Sequence, residues 1–511
     1  MPVGKRPIFL EVKHKDEHEI NGLAGDSTTK DLKLSSVKAT GLVLGFIMQL
    51  VFTRVIGVRE YGLYVLFLTW TNFFSILLFL GYDRLIIKEL SYLYLQKKQN
   101  TFKATLDKLM HMVALNSVIF LLFAFLVPHQ VLTSSFFSKE ISRTTWLLVA
   151  TGTVLSTAFT LFGKVQIATQ RAELSSIRSE IVYKVICFCT VLLLYFNVRS
   201  IVGDNIIIAG VVVAYFFSLL LYVFIIDWKK IKQYLAIKKE NIIISRENYT
   251  FFFTSLNYYI VLQLDKIILS KYVSLETLGV YGLVSTLVIL ISFSTVVYNR
   301  FLPKISNYIF LGRISELEKE FKITTRNSLL IALPFIMFLI IFTEDILLFF
   351  GKEFTSGTPI LRVLIWGQLL QFLTGPNGSL LVIGKFAKVD LINSILFVVL
   401  AIVLNFIGFR YYGVLGVAAA SSLSLALINL IKVIEVKYYY NIFPYELENL
   451  VLIVLAFMAF YAVSLLPITI DNLLLRLLTK FTLSFALAAI PIAFFFFLKY
   501  GDKPRLKGLL G

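Results

Sequence analysis

Six ionisable residues stand where an apolar chain has no ordinary use for them: Arg54, Arg84, Lys88, Asp265, Lys266 and Lys271. Each lies inside, or at the edge of, an apolar run of about 20 residues, the length that spans a bilayer. A charge near the middle of such a run costs roughly 2.5–3.5 kcal/mol to insert. It must line an aqueous cavity, pair with a charge on another helix, or sit at the membrane surface. Asp265 and Lys266, in NYYIVLQLDKIILSKYV, are the deepest, with Asn257 and Gln263 as their nearest polar neighbours in sequence. Adjacent helical residues point about 100° apart, so the two do not simply neutralise each other. They face a central cavity or form an ion pair with another helix. Arg54 and Lys271 also read as interfacial anchors whose long side chains reach water. Asp83-Arg84 with Lys88, in LGYDRLIIKEL, reads equally as the charged end of a span.

Other chemistry is sparse. His129 has no carboxylate at helical spacing, and His111 with Asp107 one turn earlier reads as a surface pair. His14 and His18, in HKDEH, belong to a solvated charge run rather than a metal site. The sequence holds no H-E-x-x-H, no G-x-S-x-G and no Walker loop, so the chain is not expected to be an enzyme or to use ATP itself. Cys187 and Cys189 are two apart on one apolar run and point to different sides, so they neither bridge nor clamp a metal. No metal or other cofactor is expected.

These residues must be positioned by membrane helices. Of 511 residues 58% are hydrophobic and the mean hydropathy is +0.81, against roughly 45–50% apolar in globular chains. The runs predict an all-α polytopic membrane protein of about fourteen spans. Six lie near 36–56, 61–81, 107–128, 145–168, 175–196 and 206–227, and six more near 249–271, 280–300, 327–350, 359–384, 388–408 and 413–436. Two last ones fall near 447–467 and 478–499. With the N-terminus inside, Lys and Arg favour the inner segments by roughly three to one, the asymmetry that marks a cytoplasmic side. Both termini are therefore expected to be cytoplasmic. That bias also accounts for the net charge of +18, and no soluble basic domain is left to bind nucleic acid.

The organisation is duplicated. A shift of 217 residues lays Phe52–Tyr64, FTRVIGVREYGLY, on Leu269–Tyr281, LSKYVSLETLGVY. Thr53-Arg54 then faces Ser270-Lys271, and Gly62-x-Tyr64 faces Gly279-x-Tyr281. A second pair, Gly210/Ala214/Ser218 and Gly416/Ala420/Ser424, opens the sixth and twelfth spans, and its small residues read as helix packing. The expected divisions are a polar tail (1–34), an N-lobe of six helices (35–227), a basic connector (228–248), a C-lobe of six (249–437), and two final helices with a tail (438–511). Each lobe has an even number of spans, so the copies keep one orientation, related by a pseudo-twofold axis along the membrane normal with a cleft between them.

Taken in order, T-R-V-I-G-V-x-E-Y-G-L-Y, L-G-Y-D-R-L-I-I-K-E, L-D-K-I-I-L in the seventh span, L-x-x-L-G-V-Y before the eighth, P-K-I-S after it, and Y-Y-G-V-L-G-V-A-A-A entering the twelfth form one pattern. It resembles the polysaccharide-transporter (Wzx-type) flippases of the multidrug/oligosaccharidyl-lipid/polysaccharide exporter superfamily, over residues 35–440. The resemblance implies a cytoplasmic-membrane flippase that moves a polyprenyl-diphosphate-linked oligosaccharide by alternating access. It makes Arg54, Arg84, Lys88, Lys266 and Lys271 the candidate head-group cations, and Asp265 a proton- or sodium-coupling carboxylate or a latch to the other lobe. The implied partners are the lipid-linked oligosaccharide, membrane lipids and glycan polymerase machinery, with the protein itself a monomer. A peptidoglycan-precursor or archaeal glycan-lipid flippase would share the mechanism. A multidrug antiporter of the same superfamily would favour acids in its cavity, whereas the in-span charges here are mostly basic. A glycan polymerase or ligase would need a large outer loop with catalytic side chains; 128–144 is short and carries one acid, Glu140.

Overall fold

Gly57 (φ 106°) and Gly81 (φ 84°) turn the chain at the two ends of its second helix, in backbone conformations open to glycine and costly to other residues. The two faces of the molecule are named for them, the Gly57 face and the Gly81 face. The computed structural model describes residues 17–128, 130–131, 141–225, 246–444 and 446–500. His14, His129, most of the basic connector and the tail 501–511 lie outside that set.

The described residues form helices and no strands. α1 (Glu17–Val51) ends in a π-helical turn, Phe52–Ile56, and α2 (Val58–Phe79) returns to the Gly81 face. After short helical turns come α3 (Gln99–Leu126), α4 (Arg143–Ala168), α5 (172–202, with a π turn at Ile177–Val182) and α6 (Ile206–Ile225). The second half runs α7 (Arg246–Tyr272), α8 (Leu275–Ile291), α9 (Ile314–Ile341) and α10 (Thr358–Thr374). One helical stretch, Ala387–Tyr440, bends at Gly413 and so supplies both α11 (387–412) and α12 (414–440). α13 (Leu447–Ser464) and α14 (Leu473–Tyr500) finish the chain. The protein is thus an all-α, multi-pass membrane protein. Among the described residues nine helical stretches, one of them the bent pair, are long and apolar enough to cross a bilayer, and α6 and α8 are shorter apolar helices. α7, interrupted by its charges, and the 17-residue α10 complete fourteen.

Among the boundaries that differ from expectation, three stand out. α1 begins at Glu17 rather than near 36, since no proline interrupts the stretch before Val51. The ninth span ends at Ile341 rather than near 350, and Glu344 and Asp345 begin a separate helix, Thr343–Phe350. α10 stops at Thr374, ahead of Gly375-Pro376, ten residues earlier than the apolar run suggests.

The duplicated motif is the contact between the halves. A Cβ on Gly62 would lie 1.8 Å from the Leu275 carbonyl oxygen, and a Cβ on Gly279 would lie 2.4 Å from that of Val58. Under the shift of 217 residues Val58 and Leu275 are themselves copies. A Cβ on Gly282 would meet the side chain of its copy, Val65, and Arg59 lies 3.7 Å from its own copy, Glu276. When each residue meets its duplicate, the contact is self-complementary, the signature of a twofold interface. The pseudo-twofold axis therefore passes between α2 and α8, and one buried core, from Phe52 and Tyr61 through Tyr281 to Phe354, runs across the seam.

After Ile291 the chain continues as a 3₁₀ turn (Ser292–Val297) and an amphipathic helix, Tyr298–Phe310, whose Phe301 and Ile305 pack onto Phe321, Leu381 and Tyr440 of their own half. The Gly81-face half of α1 packs onto α5, where Lys184 donates to the Gly41 carbonyl at 2.8 Å. The second repeat motif serves packing, as expected: Gly210 seats α6 on Val191 of α5, and Gly416 seats α12 on Gly408 of α11.

Candidate functional site

α7 carries the deepest charges, and its two faces treat them differently. Tyr259, Lys266 and Ser270, seven and four residues apart, share one face. That face meets α2 across the seam: the Tyr259 hydroxyl donates to the Thr69 carbonyl, and Trp70 Nε1 donates to Ser270 Oγ at 3.1 Å. Lys266 lies between them, only 6% exposed. Its ammonium has no hydrogen-bond or ion-pair partner among the described residues. Asp265 turns instead to α8, where its carboxylate accepts from the buried Tyr281 hydroxyl at 2.7 Å and from the Lys266 backbone N–H at 2.7 Å. The pair is split, as adjacency on a helix requires: the cation faces the seam, and the carboxylate is held within the second half.

The other predicted cations occupy different levels. Arg54 lies at the Gly57 face, where its Nε donates to the Phe349 carbonyl at 2.7 Å and its guanidinium lies 5.4 Å from the Phe349 ring. It ties α1 to the helix Thr343–Phe350 of the other half. Lys271 closes the last turn of α7 at the same face, about 7 Å along the axis from Lys266. Arg84 and Lys88 lie at the opposite face, beyond the far end of α2, whose 22 residues span about 33 Å. Arg84 is exposed, and Lys88 lies 6.0 Å from the Phe251 ring of α7. The five cations thus lie at three levels along the helices, with Lys266 between the two ends.

Asp83, read with Arg84 and Lys88, goes elsewhere: it pairs with Lys164 of α4 at 2.8 Å. His111 Nδ1 meets the Asp107 backbone oxygen at 2.7 Å, so the contact is to the main chain and not to the carboxylate. Cys187 is buried and Cys189 exposed, on opposite sides of α5. No group of three or more His, Cys, Asp or Glu that could hold a metal ion occurs among the described residues.

Sequence reasoning missed three features. Tyr281 was visible as a repeat residue but not as the partner of Asp265. Arg178 is 8% exposed and lies between the rings of Phe159 (4.2 Å) and Tyr222 (5.2 Å), donating to the Phe159 carbonyl at 2.8 Å. Two ion-pair clusters also fasten the last helices to the second half. Asp345 accepts from Arg476 (3.1 Å) and Lys480 (2.6 Å) of α14, and Arg326 of α9 meets Glu448 of α13 at 3.0 Å. A signal for Glu180–Lys184, a 2.7 Å pair inside α5, was available in its four-residue spacing. None existed for Arg178, because it sits in a π turn that shifts the helical register.

Residues 32–308 match the model of a family described as "Polysaccharide biosynthesis protein". No curated protein matches the sequence. Among solved structures, one described as "Lipid II flippase MurJ, inward closed conformation" is similar with a TM-score of 0.60 at 17% identity, covering 92% of this chain and 99% of that one. An inward-facing multidrug resistance MATE transporter of the MOP superfamily gives 0.56 at 13% identity, over 78% of this chain and 94% of the other. The MATE multidrug transporter DinF-BH in complex with R6G gives 0.54 at 15%, over 81% and 97%. At these identities the likeness is one of fold.

Proposed function

Because this chain belongs to the polysaccharide biosynthesis protein family, and has the fold of flippases and transporters of the MOP superfamily, we propose that it flips a polyprenyl-diphosphate-linked oligosaccharide across the cytoplasmic membrane. The Gly81 face is cytoplasmic in this reading, as are both termini, and the protein works as a monomer. The observation that carries it is Lys266, a buried ammonium on the seam between the halves without an ion-pair partner among the described residues.

A diphosphate cannot enter hydrocarbon unaccompanied, since burying an unpaired anion costs far more than binding returns. A cation on the seam offers the head group a charge-assisted contact along its path. The prenyl tail meanwhile stays in lipid. Arg84 and Lys88 receive the head group at the cytoplasmic mouth, Lys266 holds it at mid-path, and Arg54 and Lys271 meet it at the outer end. The halves are sealed at the Gly57 face by backbone-close contact of α2 with α8. The reading takes this closed Gly57 face as one end of an alternating-access cycle. Asp265, held by Tyr281 and adjacent to Lys266, is placed to change the balance of charge at that point by taking up a proton or sodium ion.

The experiment is transbilayer movement of a fluorescent polyprenyl-diphosphate oligosaccharide in proteoliposomes, for wild type and Lys266→Ala. Wild type moves the lipid, and the variant slows it by about tenfold or more, the loss of one contact of about 1.4 kcal/mol or better. Exchange of an organic cation for protons or sodium by wild type, with no lipid movement, replaces this reading with a multidrug antiporter. Movement unaffected by Lys266→Ala keeps the function and removes Lys266 from the path.

A further inference from the structure

An apolar groove opens between α3 and α4 near the Gly57 face, away from the α2–α8 seam. Val118, Leu122 and Phe125 of α3 and Leu147, Ala150 and Thr151 of α4 line about 330 Å³. The Thr151 hydroxyl is used up on the Leu147 and Leu148 carbonyls of its own helix, so the lining makes no polar demand. At the head of the groove stands Arg143, exposed, the first residue of α4. Its Nη2 donates to the Phe125 carbonyl at 2.8 Å, capping the end of α3, and its guanidinium lies 6.0 Å from the Phe125 ring. One bond uses one of the five N–H donors of a guanidinium. The others have no partner among the described residues.

We propose that this groove holds one acyl chain of an anionic glycerophospholipid, whose phosphate rests on Arg143 in the leaflet at the Gly57 face. The volume equals about eleven waters, the scale of one chain segment and too little for a two-chain body. The lining is wholly suited to hydrocarbon, and beside it stands a cation, Arg143, at the level where a lipid phosphate sits. Arginine is the side chain fitted to hold a phosphate by two parallel hydrogen bonds. Neither α7 nor α8 lines the groove, so the site is separate from the proposed path and stands whether or not that path is correct. A bound chain would fill the gap between α3 and α4 below the Trp146–Ala124 hydrogen bond (2.8 Å) that joins them.

The test titrates the full-length protein, purified in mild detergent, with dioleoyl phosphatidylglycerol or dioleoyl phosphatidylcholine and reads bound lipid by native mass spectrometry. One phosphatidylglycerol binds saturably, about tenfold more tightly than phosphatidylcholine. Leu122→Trp, at an exposed position in the groove wall, abolishes that adduct. Leu115→Trp, equally exposed on α3 but outside the groove, leaves it unchanged and controls for folding. Arg143→Gln removes the preference between the two lipids. Equal binding of both lipids by wild type, or an unchanged adduct in Leu122→Trp, overturns the proposal. Displacement of phosphatidylglycerol by an equal concentration of polyprenyl monophosphate also overturns it, because the groove would then belong to the carrier lipid.

Discussion

Tyr64 and Tyr281 are copies of one residue, yet they do different work. Tyr281 is sealed within the second half and donates to Asp265. Tyr64 packs edge-on to Phe52 at 5.7 Å and has no hydrogen-bond partner among the described residues. The difference traces to the helix each one faces. The shift of 217 residues that lays Tyr64 on Tyr281 also lays Met48-Gln49 on Asp265-Lys266. One half keeps a buried apolar Met48 where the other keeps a carboxylate. The duplication thus preserved the frame and the cation at Arg54 and Lys271, and the mid-span pair Asp265-Lys266 belongs to one copy alone. The first half carries its own buried cation, Arg178, on a different helix, held by two rings and a carbonyl rather than by an acid.

The largest effect expected from this asymmetry is on stability. Asp265→Leu leaves the buried Tyr281 hydroxyl without its acceptor and takes away the carboxylate next in sequence to the buried Lys266, at a cost of about 3 kcal/mol. Met48→Leu, the equivalent position, conserves volume and costs less than about 1.5 kcal/mol. Thermal unfolding of the two variants in detergent, followed by size-exclusion chromatography, ranks them. Equal losses would mean that the carboxylate is not what stabilises α7.

Tyr281→Phe removes one hydrogen bond to a charged acceptor, worth about 1.5–3 kcal/mol. Tyr64→Phe removes a hydroxyl that bonds to nothing described and is expected to fall within about 0.5 kcal/mol of wild type. The same unfolding measurement separates them. A large loss in Tyr64→Phe would restore symmetry to the pair and remove the distinction between the halves.

How much of this was legible depended on whether a feature repeats along the chain or arises between helices. The fourteen helices were legible because apolar length and Lys/Arg placement act within each span. Asp265 and Lys266 announced themselves by their cost in hydrocarbon. Where each one points was not legible, since that needs the neighbours: Tyr281 on one side, Thr69 and Trp70 on the other. Arg54 and Lys88 lie in π turns, which rotate the side chains after them by an amount the sequence does not encode. The role of Asp345 was not legible because its two partners, Arg476 and Lys480, lie 131 and 135 residues away.

The seam should behave in the opposite way to the interior. Gly62 and Gly279 each sit against a backbone carbonyl of the other half, and the carbonyls belong to copies, Leu275 and Val58. A methyl group at either position cannot be absorbed by a flexible side chain, because the atom it meets is main chain. α2 and α8 must separate, at an overpacking cost of about 1–3 kcal/mol. That cost falls only on the state closed at the Gly57 face, so it moves the balance toward the state open there by about tenfold per 1.4 kcal/mol. Gly62→Ala and Gly279→Ala should therefore give nearly the same shift. Distances between spin labels at Val55 and Leu348, both exposed and on different halves at that face, would report it as a longer population in each variant. If one variant opens and the other does not, the twofold relation at the seam is only a likeness of sequence. The two glycines would then have diverged in role as far as Tyr64 and Tyr281 have.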